Sequence, residues 1–169
     1  MKALVIIILV LCACCAQGRD YQQALRVLST VESGGNTNAV GDATKAVGIL
    51  QIQPVQVYEV NRLLGYPRFK LADRLDRVKS ETMCLIFLAW ESGRRPKDST
   101  VRWLCRWRNP LDRKPPPGWY LKRINNAIGV DMRLQAASAK GALTQRLNAW
   151  RTMNRSDYHV AKVETKEIK

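Results

Sequence analysis

Histidine is nearly missing from this chain, and the one copy, His159, stands in its polar end. That excludes a histidine-based metal cluster and a Ser/His nucleophilic relay. Five cysteines are present, but three of them (Cys12, Cys14, Cys15) fall in the first eighteen residues. If those residues are removed, Cys84 and Cys105 remain, too few for a zinc site. No glycine-rich loop has the spacing of a phosphate cradle of the P-loop type. No cofactor or metal is expected. Strand-like alternation is also scarce, which leaves a mainly α class. The apolar run 3–11 is too short to span a bilayer comfortably, and no other run competes with it.

What is present begins with that run. Lys2 before it and Ala16-Gln17-Gly18 after it read as a secretory signal over residues 1–18, cleaved before Arg19. Leu11-Cys12-Ala13-Cys14 loosely resembles a lipobox, which makes lipoprotein anchoring the lesser alternative to release outside the cytoplasm or into a periplasm. In an oxidising compartment Cys84 and Cys105 can form one disulfide, or can pack as two buried thiols; the sequence supports both readings.

The remaining chain is long enough for one domain with a real core. Tyr21, Ala24, Leu25, Leu28 and Val31 recur every three or four positions and predict a helix. Glu32 lies four residues past Leu28, at the edge of that apolar stripe, and Gly34-Gly35 provide the stop. A carboxyl group there is half out of water, and desolvation raises its pKa toward the range useful for a general acid. Pro54 suits the first turn of a second helix and Gly65 its end. Further helices are expected over 78–90, over 101–107 after a Ser99 cap, and over 119–128, with an extended prolyl loop at Pro115-Pro116-Pro117-Gly118. Residues 131–152 read as a C-terminal helical extension and 153–169 as a polar, disordered tail. Within that tail Asn154-Arg155-Ser156 matches a glycosylation acceptor in a eukaryotic host.

Two stretches carry the strongest signal: Glu32-Ser33-Gly34-Gly35-Asn36 running on to Asn38-Ala39-Val40-Gly41-Asp42, then Ala46-Val47-Gly48-Ile49-Leu50-Gln51-Ile52-Gln53-Pro54. Together they resemble the signature of lytic transglycosylases of the SLT type, lysozyme-like enzymes that cleave peptidoglycan. Asp73 and Asp76 with Ser80, leading into an apolar helix that ends in Ala89-Trp90, are similar to the family segment that follows. The resemblance covers roughly residues 21–128 and implies a lysozyme-like single domain of about six helices, residues 19–130, with a peptidoglycan-binding groove. It implies Glu32 as the catalytic acid/base and Ser33, Gln51, Trp107, Asn109 and Tyr120 as substrate-binding residues. Asn109 departs from the pattern, lying two positions after Trp107 with no Gly-Gly behind it. Goose-type lysozymes share the helix-end glutamate; an inverting hydrolase of that kind needs a second carboxylate, for which Asp42 and Asp73 are the candidates.

The expected activity is therefore cleavage of the β-1,4 MurNAc–GlcNAc bond by a secreted monomer without a stable membrane span. Lys+Arg outnumber Asp+Glu 28 to 14, a net charge of +14, or +13 without Lys2. Such a field attracts polyanions, here glycan strands and anionic wall polymers. A non-catalytic glycan-binding module is the next alternative. A basic nucleic-acid-binding protein is a remote one, because the basic residues are scattered instead of lining one recognition helix.

Overall fold

The computed structural model describes residues 20–41, 45–108 and 116–164, and within these it is mainly α. Five α-helices are described: α1 Tyr21–Ser33, α2 Pro54–Leu64, α3 Arg77–Arg94, α4 Thr100–Cys105 and α5 Gly118–Glu164. A 3-10 helix, Leu71–Leu75, precedes α3. Two very short strands, β1 Val40–Gly41 and β2 Ala46–Val47, pair antiparallel with Val40 opposite Val47. The chain divides into two compact units, Met1–Gly129 and Val130–Lys169.

In the first unit the helix ends are set by local chemistry. Asp20 caps α1 by accepting from Gln23 N at 2.8 Å, and Gly34 ends it in the left-handed region at φ 66°. Pro54 opens α2 and Gly65, φ 78°, closes it. Asp76 caps α3 through Lys79 N, and Ser99 caps α4 through Arg102 N. The helix expected over 78–90 is longer at both ends, because Asp76 starts it one residue earlier and nothing breaks it before Arg94.

The core gathers around α3, which packs against the 3-10 helix, α1, α2 and α4. Met83, Phe87 and Leu88 of α3 meet Leu28, Val57, Val60, Trp103, Leu104, Trp107 and Ile124, all fully or almost fully buried. Each large apolar side chain removed from water in this way contributes about 1.5–3 kcal/mol. Cys84 and Cys105 are both buried in this core as free thiols. The expected alternative of a disulfide is not formed; the two act as small apolar packing groups.

The Asp73–Ser80 segment holds the turn that carries the 45–52 loop. Arg74 Nη1 donates to the carbonyls of Lys45, 2.8 Å, and Ile52, 3.2 Å, while its own carbonyl accepts from Ser80 Oγ at 2.6 Å. Gly48, φ 80°, passes so close to Arg74 O that a Cβ there would collide with it.

The helix that starts at Gly118 runs on to Glu164, through both the boundary expected at 130 and the one expected at 152. No proline interrupts it, and an isolated glycine costs a helix only about 1 kcal/mol. The disordered tail expected from residue 153 is thus helical through Glu164. The second unit is this helix from Val130 onward, with Val130, Met132, Leu134 and Leu143 exposed along it. No described helix is long and apolar enough to cross a membrane. The expected signal segment, Asp42 and Asn109 lie outside the described residues.

Candidate functional site

Glu32 is the last residue but one of α1, half-buried where the apolar stripe of that helix runs out. The first turn of α5 brings Tyr120 against it, and the Tyr120 hydroxyl donates to Glu32 Oε1 across 88 positions of sequence. Burial holds the Glu32 carboxyl above its ordinary pKa. That effect outweighs the Tyr120 hydrogen bond and the nearby Arg108 and Arg123 guanidinium groups, all three of which act to lower it. The same burial, with the carboxylate beside it, pushes Tyr120 far upward, so the phenol keeps its proton and remains a donor. The two core thiols respond to the same surroundings: Cys84 is driven well upward by desolvation and then by Glu32, and Cys105 is pushed up to about 11, mainly by burial.

Glu32 opens onto a pocket of about 390 Å³ lined by Val31, Ala46, Gln51, Gln53, Gln56, Trp107, Arg108 and Arg123. Four stretches apart in sequence build it: the end of α1, the 46–56 loop and helix start, Trp107 with Arg108, and the start of α5. Cross-links between them are polar and specific. Ser33 Oγ donates to Ile49 O at 2.7 Å, fixing the helix end to the loop. Trp107 Nε1 donates to Leu50 O at 3.0 Å, and Gln56 Nε2 returns a bond to Trp107 O at 2.7 Å. Gln51 has a positive φ, 48°, uncommon for a residue with a side chain. Its Nε2 holds the loop by donating to Ala39 O and Gly48 O, and its Oε1 occupies the space a Cβ at Gly41 would need.

The expected site residues thus separate. Glu32, Gln51 and Trp107 share the pocket wall, and Tyr120 touches the acid itself. Ser33 lies beside them, but its hydroxyl is spent on Ile49 and on Ser29, so it holds the loop in place of a ligand. Trp107 is only 1% exposed, packed edge-on to Phe87, so it forms a wall of the pocket and offers no open ring face for stacking. Tyr120, also 1% exposed, addresses the acid, not the groove. Asp73 does not line the pocket. It accepts from Lys70 N at 2.8 Å and pairs with Lys79 at 2.6 Å, so its pKa is lowered, first by the backbone donor. A carboxylate placed so is a cap for the 3-10 turn, which corrects its reading as a second catalytic group.

Six pocket residues were not among the expected site residues: Val31, Ala46, Gln53, Gln56, Arg108 and Arg123. The Arg108 guanidinium lies 4.8 Å from the Trp119 ring centre and 5.1 Å from that of Tyr120, and Trp119 is 55% exposed. Among the described residues Glu32 is the one carboxylate of the lining, and no group of three His, Cys, Asp or Glu is placed to hold a metal. No family model matches the chain, and no curated protein sequence is significantly similar to it.

Proposed function

We propose that this chain is a secreted, lysozyme-like glycosidase that cuts the β-1,4 MurNAc–GlcNAc bond of peptidoglycan, with Glu32 as its acid/base. The observation that carries this reading is the partly desolvated Glu32 carboxyl, held by the Tyr120 hydroxyl and opening into a polar pocket. The motif resemblance and the basic charge of the chain support it from the sequence side.

In the proposed reaction Glu32 gives its proton to the bridging oxygen as the C1–O bond breaks and positive charge develops on the sugar. Tyr120 occupies Oε1, so the proton in transit belongs on Oε2. The leaving sugar departs as an alcohol, and Glu32 is left as a carboxylate, whose charge the Tyr120 hydrogen bond and the two arginines stabilise. That carboxylate then removes the proton from a hydroxyl of the remaining sugar. The freed oxygen closes onto C1, giving an anhydro product without entry of water, and Glu32 regains its proton. One carboxylate suffices for both halves, which fits a lining with Glu32 as its acid among the described residues. Gln51 and Gln56 shape the pocket wall, their side-chain amides engaged by backbone groups of Ala39, Gly48, Gln53 and Trp107.

The test is mass spectrometry of purified peptidoglycan digested by the wild type and by Glu32→Gln. Anhydro-muropeptides from the wild type alone are the expected result. Reducing-end products from the wild type would replace transglycosylation by hydrolysis, and absence of cleavage by both, with glycan binding intact, would leave a binding module.

A further inference from the structure

Two arginines at the mouth of an acid's pocket are hard to explain by neutral sugars. Arg108 and Arg123 line the same pocket as Glu32, are both solvent-exposed, and form no ion pair within 4 Å among the described residues. Arg108 is not a loose surface side chain: the faces of Trp119 and Tyr120 hold its guanidinium in place. The pocket thus carries two positive charges against one carboxylate, and an excess of two whenever Glu32 is protonated. Both cations also work against Glu32 keeping its proton. They help the carboxylate that proton transfer leaves behind, but in the resting acid their charge is balanced only when something negative arrives with the substrate.

We propose that Arg108 and Arg123 form an anion-binding subsite at the rim of the Glu32 pocket, which takes a carboxylate carried by the glycan strand. This rests on the glycosidase reading above and assigns, within its peptidoglycan substrate, the group that the two arginines take. A planar guanidinium binds a carboxylate through paired N–H donors, and one pre-placed against aromatic faces loses little freedom on doing so. The carboxylate has two chemical sources on a wall strand: a lactyl group freed of its peptide, or the acidic groups of an attached stem peptide. Because both arginines are exposed, the attraction is screened by salt.

The experiment measures binding to the Glu32→Gln protein, so that no strand is cut during the titration. Three ligands are compared at low salt: a neutral chitooligosaccharide, a peptide-free MurNAc–GlcNAc strand with free lactyl carboxylates, and a strand bearing stem peptides. At least one charged strand is expected to bind about tenfold or more tightly than the neutral one, with the gap closing as salt is added, and the tighter of the two identifies the source. Adding Arg108→Gln or Arg123→Gln should shrink the charged-to-neutral ratio several-fold, whereas Arg108→Lys should retain most of it. Equal binding of all three ligands, or arginine variants that weaken neutral and charged ligands alike, overturns the subsite and leaves the glycosidase reading standing. Failure to bind any of the three removes both.

Discussion

Glu32 is a glutamate whose surroundings disagree about its charge. Burial favours the neutral acid; Tyr120, Arg108 and Arg123 favour the carboxylate; burial prevails. The groups that face it come from three helices and the 107–108 turn: Tyr120 and Arg123 of α5, Arg108, and the Cys84 and Cys105 thiols of α3 and α4. A group whose folded pKa is raised contributes stability below its unfolded pKa that is lost as pH rises through the folded value. Glu32→Gln should therefore melt higher than the wild type at neutral pH, with the difference vanishing in acid, in paired thermal melts across pH. Tyr120→Phe removes a stabiliser of the charged form, so the high-pH limb of activity should move to higher pH while kcat falls, on the order of 100-fold for one such donor. The place of Glu32 at the edge of the buried stripe was readable from sequence, because an apolar repeat stopped by glycine has a local signature. Arg108 and Arg123 were not, since among 28 Lys and Arg nothing local marks the two that a distant helix end will face. Asp73 misled for the opposite reason: a carboxylate that caps its own turn looks, in sequence, like one held for chemistry.

Among the elements, the loop from β2 to α2 depends on contacts that tolerate little change. Gly48→Ala meets both a positive φ and the Arg74 carbonyl, whereas Gly34→Ala meets the φ alone, with open space around its Cβ. Gly34→Ala should cost about 1 kcal/mol and Gly48→Ala about 3 kcal/mol or more, measured by urea denaturation at constant m. Trp107→Phe keeps much of the ring volume but strands the Leu50 carbonyl, an expected loss of about 1–3 kcal/mol in the same measurement. The helix ends were legible wherever a cap states them, as at Pro54, Gly65 and Ser99. The reach of α5 was not, because polar composition after residue 152 says nothing against a helix when no proline ends it. Nor were β1 and β2, two residues each, too short to show alternation.

For the molecule as a whole, the mainly α class followed from helical spacing and from the shortage of alternating runs. The pairing of its two core cysteines could not follow, because only side-chain positions decide between a bridge and two thiols. Reductant should leave the melting temperature of the chain lacking residues 1–18 unchanged, and a thiol reagent should react with Cys84 and Cys105 only after denaturation, as mass spectrometry of alkylated protein would show. The net charge of +14 acts at longer range than any pocket.

The bond between Tyr120 and Glu32 joins residues 88 positions apart. Before that contact closes, Glu32 is an ordinary solvated glutamate, and the acid exists only as a property of the finished fold. Contacts of such long separation are entropically expensive to close and tend to form late. The chain therefore carries its own delay: the raised proton affinity of Glu32 appears only once the start of α5 has met the end of α1.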